Sequence, residues 1–181
     1  MTSGPDIVLL ARAFHYACKC HSRQRRKGAA REPYVNHLAD VARRVADATG
    51  GSDVNLVAAA MLHDCIEDVG VMREDLAATF GEDIAALVVE VTDDKARDRA
   101  ERKRLQVVHA PFLSDRAKAL KLADKASNLR AIVANPPDWP VERKLDYADW
   151  AEKVAAGLRG VNEQLERELD AAIIALRDHY A

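Results

Sequence analysis

The chain has 181 residues, 49% of them hydrophobic, 31% charged and only 5% aromatic, with 8 Gly and 6 Pro. A chain of this length can bury about 70% of the surface its unfolded form exposes, so a core needs neither disulfide nor metal, and disorder or low complexity is excluded for the whole. The formal net charge of -2 and the scarcity of aromatics argue against a dedicated nucleic-acid binder, so any basic site must be local.

In chain order, Met1-Thr-Ser-Gly-Pro-Asp6 lacks the basic region of a secretory signal, and the apolar stretch Ile7 to Leu10 ends at Arg12. Cys18, Cys20 and Cys65 form an odd set with no Cys-x-x-Cys pair, which reads as cytosolic thiols. Arg25 to Pro33 is a charged loop. Leu38, Val41, Ala42 and Val45 fall at i, i+3, i+4 and i+7, the stripe of a helix that Gly50-Gly51 ends. Ser52-Asp53 can cap the next helix, and Val54 to Leu62 is apolar enough to lie at the centre of the molecule. Gly81 separates a short helix from one beginning at Glu82, whose stripe is Ile84, Leu87, Val88 and Val91. Asn135-Pro136-Pro137-Asp138 is a stop, and Pro140 suits the start of the following helix. Val161, Leu165, Leu169, Ala172, Ile173 and Leu176 mark the last stripe. No period-2 run of β-branched residues competes, no repeat or linker divides the chain, and no uncharged apolar run approaches the roughly 20 residues of a membrane span. The expectation is a cytoplasmic all-α protein, one compact domain over residues 1–181, of about eight to ten helices.

The chemistry concentrates where the most apolar stretch turns polar, at Met61-Leu-His63-Asp64-Cys-Ile-Glu67-Asp68. Burying that much charge without partners is expensive. On a continuous helix Glu67 would stack one turn after His63, and Asp68 one turn after Asp64. So many carboxylates beside an imidazole invite a bound cation. Tyr34-Val-Asn-His37 places a second histidine at a helix start, and Lys121-Leu-Ala-Asp124-Lys-Ala-Ser-Asn128 sets a carboxylate and an amide four apart on a later helix. His37, His63, Asp64 and Asp124 mix imidazole with hard oxygen ligands, a set suited to one Mn, Fe or Zn ion with positions open for water and substrate. A local cationic run, Arg23-Gln-Arg-Arg26-Lys27, lies just before His37. Arginine grips phosphate oxygens bidentately and lysine acts as a point charge.

Taken in order, Tyr-x-x-His, His-Asp-x-x-Glu-Asp and Lys-x-x-Asp-x-x-x-Asn resemble the HD-domain hydrolases. The closest likeness is to the (p)ppGpp hydrolase branch of the RelA/SpoT superfamily, in its small stand-alone form of the metazoan SpoT-homologue type. Six segments carry it, from His21 to Lys27, Pro33 to His37, Ala60 to Asp68, Glu90 to Lys95, Glu101 to Gln106 and Lys121 to Arg130. The resemblance implies an HD-type helical fold and Mn(II) held by His37, His63, Asp64 and Asp124. It also implies water activation and proton handling by Glu67 and Asp68, and substrate contacts from Asn128, the Arg26-Lys27 motif and Tyr147 near the nucleobase. The implied reaction removes the 3′-pyrophosphate of ppGpp or pppGpp, a small nucleotide substrate, in a chain too short for a synthetase. NADPH 2′-phosphatase or another HD-type nucleotide phosphohydrolase activity is the alternative. Arg102-Lys103-Arg104 could pair with Asp93-Asp94 or reach substrate, with surface pairing the first expectation; Trp139 and Trp150 are expected to serve packing, and Cys65 to pack without acting as a nucleophile. Leu38 stands where many relatives have Pro after the His, and Gly28 to Glu32 departs from the family's composition.

Overall fold

The computed structural model describes residues 4–181; Met1–Ser3, which open the stretch read for a secretory signal, lie outside the described residues. The architecture is all-α: α1 Gly4–Cys20, α2 Val35–Thr49, α3 Val54–Leu62, α4 Cys65–Val69, α5 Arg73–Phe80, α6 Glu82–Val91, α7 Arg99–His109, a short 3-10 turn Ala110–Phe112, α8 Asp115–Ala134, α9 Val141–Ala156 and α10 Glu163–Tyr180. No strand occurs among the described residues, and an isolated bridge pairs Gly28 with Pro137. No described helix is long and apolar enough to cross a membrane.

The chain forms two compact units, each discontinuous in sequence. The first comprises the residues up to Gln24 together with Pro33–Lys95. Its centre is α3, which packs against α1, α2 and α6. Leu56, Val57, Ala58, Ala59, Ala60 and Leu62 are all buried, and the three successive alanines leave room for close helix approach. The predicted stripes of α2 and α6 are buried as well, including Leu38, Val41, Val45, Ile84, Leu87 and Val88. Local signals act where they were read: Gly50 ends α2 in the left-handed region at φ 59°, and the Asp53 carboxylate caps α3 by accepting from the Leu56 amide at 2.9 Å.

One expectation is corrected. The helix does not run continuously through His63-Asp64; α3 stops at Leu62, and α4 starts at Cys65 after Asp64 adopts φ -97° and ψ 0°. The His63 ring supplies the reason. Its Nδ1 lies 2.8 Å from the Ala60 carbonyl, the acceptor that the Asp64 amide would use in an uninterrupted helix. The Asp68 amide still donates to the Asp64 carbonyl at 2.8 Å, so the one-turn spacing of the two aspartates survives the break.

The second unit comprises Arg25–Glu32 and Ala96–Ala181. Its core lies between α8 and α10, with α9 packed on both, and buries Leu120, Leu122, Leu129, Leu165, Leu169 and Leu176. The Asn135-Pro136-Pro137 stop ends α8 and also receives the basic loop. Ala29 donates to the Pro136 carbonyl at 3.3 Å, and the Ala30 amide donates to Asn135 Oδ1 at 2.9 Å. The loop predicted at Arg25 to Pro33 is therefore pinned along its length rather than freely solvated.

Candidate active site

In the first unit, α2 presents His37 from its first turn and α3 presents His63 just past its last residue, both buried. Their ring centroids are 5.3 Å apart, and a ring nitrogen of each lies within 4.8 Å of the other's. Asp64 Oδ2 is 3.2 Å from His63 Nε2 and 3.8 Å from His37 Nε2, and it accepts a 2.6 Å hydrogen bond from the Tyr34 hydroxyl. The Ala60 carbonyl can only accept, so His63 Nδ1 carries the ring proton and a neutral ring turns its Nε2 lone pair toward a carboxylate oxygen. Two acceptors at 3.2 Å demand a positive centre, either a second ring proton or a cation bound to both. Imidazole nitrogen and carboxylate oxygen, the one held by the Ala60 carbonyl and the other by the Tyr34 phenol, fit a first-row divalent ion.

On α4, Glu67 and Asp68 follow within one turn. The Asp93 amide donates to Glu67 Oε2 at 3.2 Å. Burial raises the Glu67 pKa above the usual carboxylate range, the negative charges of Asp93, Asp64 and Asp68 add to this, and the Asp93 N–H partly offsets it. Asp68 is gripped at both oxygens: Lys95 Nζ lies 2.6 Å from Oδ1, and Gln24 Nε2 donates to Oδ2 at 2.7 Å. Cys65 between them is fully buried, and burial pushes its thiol far above neutral pH, so it packs as expected and offers no nucleophile.

In the second unit, α8 carries Asp124 and Asn128 on one face. Asn128 donates to Asp124 Oδ1 at 2.6 Å, and its own oxygen accepts from an Arg26 guanidinium nitrogen at 3.0 Å, so Arg26, Asn128 and Asp124 form a continuous row. Lys125 adds a 3.3 Å contact to Asp124, and Lys27 is exposed beside the row.

Sequence reasoning left Lys103 open to a substrate role but missed the group that gathers around it in this unit. Lys103 and Lys125 place their ammonium groups 4.7 and 4.6 Å from the Trp150 ring centroid, and the Arg143 guanidinium lies 4.2 Å from that of Trp139. Trp150 also donates to the Lys103 carbonyl at 3.0 Å, so it organises cations rather than only filling space. Tyr147 sits between the two indoles, 6.4 Å from Trp139 and 5.2 Å from Trp150, and burial pushes its phenol up to about 12. Lys103 is lowered by burial and by Arg99, Arg143 and Lys125; Arg99 is lowered by burial and by Arg143 and Arg102. Arg104 does pair at the surface, bidentately with Glu101 at 2.8 Å. The basic run on α7 was the available signal, but at the sequence level it is indistinguishable from a solvated face.

A family model described as the HD domain matches residues 13–160. The chain belongs to the HD-domain family. It is 43% identical to the frog (Xenopus tropicalis) guanosine-3′,5′-bis(diphosphate) 3′-pyrophosphohydrolase MESH1 over 91% of this chain and 93% of the relative. The human protein of the same name is 42% identical over 92% and 93%. A solved structure described as a metazoan orthologue of SpoT that hydrolyses ppGpp superposes with a TM-score of 0.90 at 41% identity, covering 97% of both chains. The chain thus shares the fold of that solved structure.

Proposed function

We infer that the protein is a metal-dependent (p)ppGpp 3′-pyrophosphohydrolase, which cleaves ppGpp or pppGpp to GDP or GTP and pyrophosphate. The observation that carries this reading is the facing pair of acceptors at His63 and Asp64, with His37 alongside and Glu67 and Asp68 one turn on. The named activity of relatives matching more than nine-tenths of the chain supports the same substrate. His37, His63, Asp64 and Asp124 are the proposed ligands of one Mn(II), with Fe or Zn as the outcomes a metal analysis would otherwise return. Asp124 rests on its place in the Lys-x-x-Asp-x-x-x-Asn motif. A divalent ion there supplies Lewis-acid charge that offsets the negative charge developing at the phosphorus under attack.

The residues themselves divide the remaining work. Glu67, with its raised proton affinity, and Asp68, held at both oxygens, orient the attacking water and return a proton to the leaving oxygen. Neighbouring carboxylates titrate together, so these roles belong to the pair. Arg26, braced by Asn128, and Lys27 receive phosphate, while Tyr147 offers its ring to the nucleobase. Arg99, Lys103 and Arg143 repel one another, a cost that a polyphosphate would relieve, and we assign them to the substrate's second phosphate group. On this reading residues 1–181 work as one HD-type domain in the cytoplasm, on a small nucleotide rather than a nucleic acid, in alarmone turnover of the stringent-response type.

Purified Mn(II)-loaded protein is expected to release pyrophosphate from ppGpp, and Asp64→Ala or Glu67→Ala to abolish it. A folded, metal-loaded wild type that leaves ppGpp intact but frees inorganic phosphate from NADPH would replace this substrate with the alternative one.

A further inference from the structure

We propose that His21 and Gln24 are positioning residues that aim the Asp68 carboxylate, through a hydrogen-bonded chain of fixed polarity running Cys65, His21, Gln24, Asp68. The proposal deepens the reading above, because it rests on Asp68 being one of the two catalytic carboxylates.

His21 is only 2% exposed, just beyond the end of α1, and its three neighbours are polar or aromatic. Nδ1 lies 2.5 Å from Gln24 Oε1, Nε2 lies 3.6 Å from Cys65 Sγ, and the ring face stacks on Tyr34 at 5.3 Å and 21°. The direction of every bond follows from one end. Gln24 offers its amide NH2 to Asp68 Oδ2 at 2.7 Å, which turns Gln24 Oε1 toward His21. That oxygen can only accept, so His21 carries its proton on Nδ1. Nε2 is then an acceptor and faces Cys65 Sγ at 3.6 Å, where an S–H can donate. Reversing Gln24 would set its oxygen against the Asp68 carboxylate and its NH2 against the His21 Nδ1–H, at a cost comparable to a lost hydrogen bond.

The same ring therefore braces two functional carboxylates. Its edge orders Gln24, which holds Asp68 Oδ2 while Lys95 holds Oδ1. Its face supports Tyr34, whose hydroxyl donates to Asp64 Oδ2. Holding both oxygens of Asp68 sets the carboxylate plane and leaves one lone-pair direction on each oxygen for water or leaving group. A side chain positioned this way acts on turnover more than on substrate binding, since a displacement of about 1 Å from productive geometry can cost up to about 100-fold in rate.

The test joins kinetics with a readout that needs no substrate. Nitrogen-15 correlation spectra of the histidine rings are expected to show His21 as the Nδ1–H tautomer in the metal-loaded wild type. Gln24→Met, which keeps the volume but removes both polar ends, is expected to lower kcat by about 10- to 100-fold while KM stays within about twofold and metal content is unchanged. His21→Leu should behave likewise, and His21→Asn, whose amide N–H can replace Nδ1–H, should recover most of the loss. The Nε2–H tautomer in wild type, or a Gln24→Met effect confined to KM, overturns the proposal. If either variant fails to fold, the wild-type tautomer decides alone. Should the wild type turn over a nucleotide other than ppGpp, the substrate reading fails while the tautomer and the kcat loss on that nucleotide still judge the chain.

Discussion

Gly28→Ala probes whether the anchored basic loop serves the substrate. A Cβ at Gly28 would lie 2.2 Å from the Asn135 carbonyl oxygen and 2.5 Å from Asn135 Cγ. Ordinary contact begins at 3.4 Å, so the loop must retreat by about 1.2 Å, the difference between 3.4 and 2.2. The obstacle is backbone at the end of α8 and cannot rotate away. Overpacking of this kind costs about 1–3 kcal/mol. At about 2–4 °C per kcal/mol for a domain of this size, Tm should fall by several degrees with folding retained. Arg26 is two residues away and holds Asn128 at 3.0 Å, so a shift of that size breaks the bond. One hydrogen bond to a charged group is worth about 1.5–3 kcal/mol, which corresponds to a rise in KM of about tenfold or more. Steady-state hydrolysis of ppGpp with saturating Mn(II), beside a thermal melt, reads both quantities. A variant with lowered Tm and wild-type KM would refute the link between the loop's seat and the substrate grip.

Three further outcomes are expected. Arg26→Ala should raise KM more than it lowers kcat, measured by initial rates across ppGpp concentrations; an unchanged KM removes its phosphate role. Glu67→Gln should abolish turnover yet raise the Tm of metal-free protein near neutral pH. The folded carboxyl binds its proton more tightly than the unfolded one, so wild-type stability is full below the ordinary carboxylate range and is lost as pH rises through the raised folded value. The Tm gap between variant and wild type should therefore close in acid, and a gap independent of pH would contradict it. Chelation should lower the wild-type Tm and Mn(II) restore it, because an ion at 100 times its Kd stabilises the folded state by about 2.7 kcal/mol. Asp64→Ala should show no such metal-dependent shift.

The sequence by itself determined the helices and supplied the residues from which the site is proposed. Apolar stripes at helical spacing, the Gly50 stop, the Asp53 cap and the Asn135-Pro136-Pro137 break are local signals, and local backbone physics answered them directly. Asp124 and Asn128 bond as their four-residue spacing predicts, and Asp68 keeps its helical bond to Asp64. The interruption at His63 lay beyond that reading, because a side chain competing for the Ala60 carbonyl leaves no trace in periodicity. Only the tertiary structure decided who supports the functional groups. Gln24 meets Asp68 across 44 residues, Lys95 meets it across 27, and Trp150 reaches the Lys103 carbonyl across 47. Spacing rules extend one helical turn, whereas these partners are selected by how helices pack, and packing is a property of the whole core. The fold buries His21 between Tyr34, Gln24 and Cys65, where every hydrogen-bonding atom of the ring must have a partner of the right sign, and no spacing in the sequence names those partners.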